Sequence, residues 1–182
     1  LWKLRWKPVC ASTETDLSRW LQQYPLNNQR SISRAIISAS QRFGRGQFSR
    51  TWTAPKGGVW LSAALPGDDL LKSQRLFGLA VAVALVEQID KRGISIKIKW
   101  PNDLTFQNRK LAGLLPKLIY RGNTIRLARI GIGLNVANRV PIGAISLHQI
   151  LGIGVFEPAV WSAEILIAIE RSIELLSNQN KL

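Results

Sequence analysis

The sequence predicts a single α/β domain with a mixed, mainly antiparallel sheet and flanking helices. Of the 182 residues, 46% are apolar, which is enough to form a hydrophobic core. Strand-like and helix-like apolar patterns follow one another along the chain. The turn Arg121-Gly122-Asn123 separates two strand-like segments, as in a β-hairpin. A sheet that contains a hairpin is not wholly parallel, so we expect residues 1–182 to form one sandwich of this mixed type.

The N-terminal half contains three predicted strands, two helices and a loop. Alternating apolar and basic residues predict the first strand, and Ser12 before Glu14 is a suitable N-cap for the first helix. An Ala/Val/Leu-rich run from Asp68 to Ile89 predicts the second helix, which Gly93 ends. The predicted segments are strands at 2–9, 34–40 and 58–65, helices at 12–24 and 68–89, and a Gly- and Arg-rich loop at 41–55.

The C-terminal half predicts a further sheet region and a long helix. Pro158 suits the first turn of a helix, and the apolar residues after it recur every four positions. The predicted segments are strands at 95–99, 111–120 and 124–136, a short helix at 145–151 and a helix from 158 onwards.

Composition excludes several functional classes. Lys and Arg number 25 against 11 Asp and Glu, a formal net charge of +14 that attracts anions. The positive charges are scattered, so we expect no specific nucleic-acid partner. One cysteine, Cys10, and one histidine cannot build a zinc or copper site, and a single cysteine suits the reducing cytoplasm. No apolar run approaches the roughly 20 residues that cross a bilayer, so no membrane association is expected.

Residues 44–52 have the composition of a loop that closes over a charged, flat ligand. Glycines such as Gly44 let the backbone approach an anion, Arg45 and Arg50 offer forked donors, and Trp52 offers a stacking face. A mobile, solvent-exposed loop has the same composition, so both interpretations stay open.

Two neighbouring segments, residues 99–104 and 109–113, combine turn residues with charge. Asp103 is a hard oxygen ligand suited to Mg²⁺, Lys110 is a point charge for a carboxylate or phosphate, and Gly113 leaves room for a ligand against a strand. A plain hairpin would use the same residues.

The segment Gly131-Ile-Gly133-Leu-Asn135 begins like a dinucleotide-binding fingerprint. Val136 holds the sixth position and no helix pattern follows, so a Rossmann fold is excluded. Asn135 remains a candidate contact for a ribose or phosphate. Glycines where strands cross closely are the alternative.

Taken in chain order, four motifs resemble those of the biotin–protein ligase family. Ala-Ser12-Thr13-Glu14 resembles the family's Ser-Thr-Asn, and Gln41 with Gly44-Arg45-Gly46-Gln47 resembles its Gln-x-x-Gly-Arg-Gly loop. Lys-Trp-Pro-Asn102-Asp103-Leu with Arg-Lys110-Leu-Ala-Gly113 is a specific match, and Gly131-Ile-Gly133-Leu-Asn135 completes the series.

The resemblance implies a fold related to class II aminoacyl-tRNA synthetases and a reaction in two steps. Biotin would react with ATP, with Mg²⁺ present, to form biotinyl-5′-AMP. A lysine of a biotin carboxyl carrier protein, such as the carrier domain of acetyl-CoA carboxylase, would then accept the biotinyl group. Cationic residues are needed because both steps concentrate negative charge near phosphate. The oligomeric state stays open, a homodimer included.

The resemblance also implies roles for individual residues. Lys110 and Arg45 would be the catalytic cations, and Asp103 would hold the metal. The biotin site would comprise Ser12, Thr13, Gln41, Gly44, Arg45, Gly46, Gln47, Lys110 and Gly113. The ATP site would comprise Arg50, Trp52, Asn102, Asp103 and Asn135.

The chain departs from the family pattern at two positions. Gln47 stands where many members carry Arg. The neutral side chain leaves less positive charge beside the phosphate. Glu14 replaces Asn, which adds a negative group near a carboxylate ligand. From its ends we expect neither a DNA-binding segment before Leu1 nor a small barrel-like domain after Leu182.

Two alternatives remain at this point. A lipoate- or octanoate-transferring ligase on the same fold would carry an Arg-Arg-x-Ser-Gly-Gly-Gly stretch, where this chain has Gly44-Arg-Gly-Gln47. A non-catalytic module that binds nucleic acid through its net charge would show binding that weakens steeply with salt.

Overall fold

The computed structural model describes residues 2–26, 31–67, 76–152 and 157–178. Within these residues there are nine strands: β1 (Trp2–Lys7), β2 (Ser33–Ser38), β3 (Gln41–Arg45), β4 (Thr51–Ala54), β5 (Val59–Pro66), β6 (Lys97–Lys99), β7 (Asp103–Phe106), β8 (Arg109–Arg121) and β9 (Thr124–Leu134). The helices are α1 (Thr13–Gln23), α2 (Phe77–Asp90), α3 (Leu147–Leu151) and α4 (Pro158–Asn178).

The main sheet has seven strands in the order β1-β2-β5-β9-β8-β7-β6, and β3 pairs with β4 in a separate two-stranded sheet. In the main sheet β1 and β2 are parallel, and the other neighbouring pairs are antiparallel. This confirms the predicted mixed, mainly antiparallel sheet.

Helices cover both faces of the main sheet. On one face α2 packs against α4, and their apolar residues form the large core with the sheet. Trp161, Ile165 and Ile169 of α4 are fully buried there, as their spacing predicts. On the opposite face Leu17 and Trp20 of α1 form a smaller cluster. No helix among the described residues is long and apolar enough to cross a bilayer.

The largest difference from the prediction lies in residues 41–55, which were expected to form a loop. They form the β3–β4 hairpin, with a short 3₁₀ turn at Gln47–Ser49 between the strands. The hairpin is tied to the rest of the chain by main-chain hydrogen bonds from Arg42 to Cys10 and from Phe43 to Ala11. Tertiary contacts, which local composition does not encode, therefore order this segment.

Strand β7 was also missed, because its turn into β8 lacks the usual residues. Gln107 and Asn108 both have positive φ, of 49° and 63°, in the two-residue turn between β7 and β8. Such turns favour Asn-Gly or Asp-Gly, so Gln-Asn gave only a weak signal. The predicted start of the second helix, at Asp68 and Asp69, lies outside the described residues. Within them α2 begins at Phe77.

Candidate functional site

Strand β9 contributes to the core on one face and to a cavity on the other. Its residues Ala128, Ile130, Ile132 and Leu134 belong to the large core. Arg129, Gly131 and Gly133 alternate with them and therefore lie on the face that α1 covers. Same-face neighbours on a strand are roughly 6–7 Å apart, so these three positions span about 13 Å.

A cavity of about 160 Å³ lies over the Gly131 and Gly133 positions of this row. Its walls come from the start of α1, the β3–β4 hairpin, the residues around β7, and the strands β5, β8 and β9. The lining residues that carry polar side chains are Ser12, Thr13, Glu14, Gln41, Arg45, Gln47, Arg50, Thr51, Trp52, Ser62, Asn102, Asp103 and Lys110.

One end of the cavity is a neutral hydrogen-bonding cluster. The Thr13 main-chain N–H donates to Gln41 Oε1 at 2.7 Å, and Thr13 Oγ1 donates to the same oxygen at 3.0 Å. Thr13 Oγ1 also lies 2.8 Å from Ser62 Oγ, and Ser62 pairs with Gly131 across β5 and β9. Thr13 occupies this place because Ser12 caps α1 in an extended conformation just before it. The cluster can receive a compact polar ring.

The other end of the cavity carries charge. Lys110 Nζ lies 2.7 Å from Asp103 Oδ1, and their side chains are 36% and 24% exposed. The main chain holds Lys110 in place, because its N–H donates to Gly143 and its carbonyl accepts from Ile145, each at 2.9 Å. Asn102 Nδ2 donates to the Leu114 carbonyl at 2.8 Å, so its amide is anchored to β8.

Two exposed arginines add to this charged end. Arg45 ends β3, and Arg50 precedes β4, so the hairpin carries both to the cavity. Within the described parts of the chain neither arginine forms an ion pair. Both guanidinium groups are therefore available to an anionic ligand.

Trp52 lies on a floor made by two glycines that face each other across β8 and β9. Gly113 pairs with Gly133, and a Cβ atom on Gly133 would lie 2.5–2.6 Å from three atoms of the indole ring. The same ring lies 5.0 Å from Lys110 Nζ and makes an edge contact with Trp60, with centroids 6.3 Å apart. Glycine is therefore required at both floor positions to admit a flat ring.

The sequence predicts that Glu14 adds a negative group near the ligand. In the structure this carboxylate is in an ion pair. Its Oε1 lies 2.7 Å from a guanidinium nitrogen of Arg129, whose side chain is 8% exposed. The same nitrogen donates to Ser18 Oγ at 2.7 Å and to the Glu14 carbonyl at 3.1 Å. Because Arg129 lies four residues from Gly133 on β9, this pair is at the opposite end of the row from Lys110.

Most of the predicted site residues line the one cavity. Those that do are Ser12, Thr13, Gln41, Arg45, Gly46, Gln47, Arg50, Trp52, Asn102, Asp103, Lys110 and Gly113. Gly44 and Asn135 do not. Gly44 is buried against the Trp52 carbonyl in the hairpin. Asn135 is 3% exposed, and its side chain bonds Asn138 and the Lys110 carbonyl.

Thr51 and Ser62 line the cavity but were not predicted as site residues, and neither was Arg129, the partner of Glu14. Ser62 is the single polar residue within the apolar strand β5. Arg129 is a charged residue among the apolar residues of β9. A polar residue inside an apolar strand is a weak signal alone, since its meaning depends on what packs over it.

The residues that the structure describes do not form a cage for a resident metal ion. No group of three His, Cys, Asp or Glu side chains with metal-binding geometry occurs in residues 2–26, 31–67, 76–152 and 157–178. Both carboxylates that line the cavity, Glu14 and Asp103, are in ion pairs. One carboxylate nevertheless fits a Mg²⁺ ion that is held mainly by nucleotide phosphates and water.

The chain is similar in sequence to known ligases. The model of the biotin/lipoate A/B protein ligase family matches residues 8–135. Biotin–protein ligase 2 of Arabidopsis thaliana is 34% identical over 144 residues, 76% of this chain and 42% of the relative. The bifunctional ligase/repressor BirA of Bacillus subtilis is 37% identical over 112 residues, 60% of this chain and 34% of the relative. The biotin–[acetyl-CoA-carboxylase] ligase of Paracoccus denitrificans is 30% identical over 118 residues, 60% of this chain and 47% of the relative. The chain spans less than half the length of each.

Solved structures share the fold. The biotin protein ligase of Aquifex aeolicus, in complex with biotin and ATP, superposes with a TM-score of 0.78 at 24% identity, covering 97% of this chain and 72% of that one. The biotin acetyl coenzyme A carboxylase synthetase of Helicobacter pylori, with bound biotinylated ATP, gives 0.69 at 25% identity, covering 94% and 73%. A lipoate protein ligase homologue from T. acidophilum gives 0.61 at 10% identity, covering 96% and 84%.

Proposed function

The chain belongs to the biotin/lipoate A/B protein ligase family, and from this premise we propose that it activates biotin with ATP and transfers it to a lysine of a carrier protein. The relatives from Arabidopsis thaliana and Paracoccus denitrificans are named as biotin ligases, which favours biotin over lipoate as the acid. The likeness to the lipoate ligase homologue, at 10% identity, concerns the fold alone.

The observation that carries this proposal is the polarity of the cavity along β9. Thr13, Gln41 and Ser62 offer neutral hydrogen bonds at one end, and Lys110 and Arg45 offer cations at the other. Biotin matches this polarity, because an aliphatic chain joins a polar cyclic urea, which suits the neutral end, to a carboxylate, which suits the cationic end. We infer that the ring lies near Gly131 and the carboxylate near Gly133.

In the first step a biotin carboxylate oxygen attacks the α-phosphorus of ATP, a new P–O bond forms, and pyrophosphate leaves. Arg45 and Lys110 bring the two anions together and stabilise the charge that develops between them. The proposed role of Lys110 also explains its fixed main chain, because a cation that is already in place costs no reorganisation during the reaction.

In the second step the amine of an acceptor lysine attacks the acyl carbonyl carbon. The C–O bond to AMP breaks, AMP leaves with the bonding pair, and the nitrogen loses a proton. Since the mixed anhydride hydrolyses in water, the β3–β4 hairpin with Gln47 would cover it until the acceptor arrives.

The nucleotide site is proposed from the residues around the glycine floor. Trp52 and Arg50 would contact the adenylate and its phosphate, and Asn102 would orient the nucleotide. Asn135 would act through the main chain of Lys110, whose carbonyl it binds, rather than by touching ATP.

A Mg²⁺ ion would enter with ATP as part of the substrate. Asp103 would be its protein ligand, and the ion would neutralise phosphate charge.

The acceptor proposed is the biotin carboxyl carrier domain of acetyl-CoA carboxylase, as the name of the Paracoccus denitrificans relative suggests. The purified chain should biotinylate this domain on one lysine in the presence of Mg²⁺ and ATP. Mass spectrometry of the acceptor would detect the added biotinyl group, and an acceptor with that lysine changed to Arg is the control.

Pyrophosphate release tests the activation step and separates the alternatives. With Mg-ATP we expect release that depends on biotin and is absent with lipoate or octanoate. Release with lipoate but not biotin would assign the chain to the lipoate-type ligases. No release with any acid, together with RNA binding that weakens steeply with salt, would favour the nucleic-acid module instead.

A further inference from the structure

Strand β1 leaves one edge of the main sheet open. It stands at the end of the strand order, and in the part of the chain that the structure describes no strand pairs with its outer side. Its register with β2 runs from Trp2 to Lys7 without a shift. An open strand edge presents unpaired main-chain groups that favour pairing with another chain, so proteins usually guard such edges with projecting charges, bulges or proline.

The main-chain groups on the open side belong to alternate residues of β1. The Lys7 carbonyl accepts from the N–H of Ala39, just after β2, at 3.0 Å, so the main chain of Lys7 faces β2. The N–H and C=O of one residue point to the same side of a strand, and those of the next residue point to the other side. Leu4 and Trp6 therefore direct these groups to the open edge, where an added strand would bind them.

The cations of β1 do not guard this edge. The Arg5 guanidinium lies over the ring of Trp20 in α1, 4.0 Å from its centroid. Lys7 Nζ lies 2.6 Å from Asp16 Oδ2, also in α1. Both side chains are thus drawn back onto the helix, and the edge beside them stays accessible.

The two faces beside the open edge differ in chemistry. On the opposite face from α1, Leu4 and Trp6 are 52% and 66% exposed. On the α1 face Asp16 is the one described carboxylate in an ion pair with the local cations. Those cations are Lys3, Arg5 and Lys7 of β1, Arg34 of β2 and Arg19 of α1. An added strand would therefore meet positive charge on one face and apolar side chains on the other.

We propose that β1 is a docking edge for an acidic, extended segment of another protein. The segment adds to the sheet as a strand, with carboxylates over the α1 face and apolar side chains beside Leu4 and Trp6. A second copy of this chain is a poor occupant, because two-fold antiparallel pairing puts residues of the same face opposite one another, and so cations opposite cations. Nucleic acid would match the charge but leave the main-chain groups of the edge unpaired.

Two fluorescein-labelled peptides of equal composition test this proposal. Six Glu-Val repeats place all the carboxylates on one face of a strand, whereas three Glu-Glu-Val-Val repeats have the same charge and divide it between both faces. Fluorescence anisotropy with the whole chain measures both affinities. We expect the alternating peptide to bind more tightly by roughly 5- to 50-fold. Equal affinities would overturn the proposal, because charge alone would then account for binding.

Leu4→Pro tests the main-chain bonds of the edge. Proline removes the outward N–H of Leu4 and no bond to β2, and proline is tolerated at such positions of edge strands. The matched control is Leu4→Ala, which also loses the leucine side chain but keeps the N–H. We expect Leu4→Pro to bind the alternating peptide more weakly than Leu4→Ala by roughly 3- to 10-fold. Equal affinities of the two folded variants would reject strand addition.

Lys3→Glu tests the charge of the α1 face, and it decides the question if Leu4→Pro does not fold. Its matched control is Lys97→Glu, which makes the same change of net charge at an exposed position of β6, the opposite edge strand. We expect Lys3→Glu to weaken binding of the alternating peptide by roughly 3- to 10-fold and Lys97→Glu to stay within about twofold of wild type. Equal losses would indicate diffuse attraction and contradict the proposal. Single-stranded RNA that binds more tightly than the peptide, with no effect of Leu4→Pro, would assign the surface to nucleic acid and likewise overturn it.

Discussion

The glycine floor beneath Trp52 gives a prediction that separates folding from ligand binding. In Gly133→Ala the new methyl carbon would lie 2.5–2.6 Å from three atoms of the indole ring. An indole is rigid, so Trp52 must move off the floor. In Gly131→Ala, two residues earlier on the same face, the nearest atoms would be Leu115 Cβ at 3.6 Å and Ser62 Oγ at 3.8 Å, which are ordinary contacts.

The two variants should therefore fail in different ways. Overpacking of this kind costs about 1–3 kcal/mol, which for a domain of this size lowers Tm by roughly 2–12 °C. We expect this loss in Gly133→Ala and a change of stability below about 0.5 kcal/mol in Gly131→Ala. Gly131→Ala should instead weaken biotin binding by roughly 5- to 150-fold, because its methyl group occupies the ring end of the cavity.

Thermal unfolding followed by circular dichroism and titration calorimetry with biotin would measure both effects. Wild type is the reference for each, and each glycine variant serves as the control for the other. Equal Tm values for Gly133→Ala and wild type would show that Trp52 does not rest on Gly133. Undiminished biotin binding by Gly131→Ala would remove the ring from this end of the cavity.

Three further predictions concern single side chains. Lys110→Ala should lower the rate of adenylate formation by about 10²–10³-fold, because it removes one preorganised cationic donor. The loss of stability should be small because Lys110 is partly exposed. Near-normal turnover would remove its catalytic assignment. Gln47→Arg should slow the release of biotinyl-5′-AMP, because it adds a cation beside the phosphate, and unchanged release kinetics in a filter-binding assay would count against this. Burial raises the pKa of the Cys10 thiol, and the residue is 7% exposed. At pH 8 the native protein should therefore react with a thiol reagent much more slowly than the urea-unfolded protein, and equal rates would contradict the buried placement.

The helices and most strands of the main sheet were predictable because each carries its own local signal. The hairpin between β8 and β9 turns at Gly122, where φ is 59°, as the glycine predicts. Helix α3 begins with a complete capping box between Ser146 and Gln149, and α4 begins at Pro158. Such signals lie within a few residues of the element that they define, so a single sequence contains them.

Most of the residues selected from the sequence line the candidate cavity, but their arrangement was not predictable. Motif residues such as Thr13, Gln41 and Lys110 were selected from segments far apart in the chain, and the structure brings them to one cavity. The pairing of Glu14 with Arg129 joins residues 115 positions apart. Neither local segment predicts this pairing. The strand character of residues 41–45 and 51–54 likewise depends on contacts with distant residues.

Strand β9 ties ligand binding to folding through its two-residue period. Even-numbered positions from 128 to 134 belong to the core, and Gly131 and Gly133 between them line the cavity. A slip of one residue in the pairing of β9 would place glycines in the core and isoleucines under the cavity. Such an error would therefore weaken both the core and the proposed binding site. Efforts to alter which acid is accepted should therefore leave β9 intact and vary α1 and the β3–β4 hairpin, which line the cavity but do not belong to the main sheet.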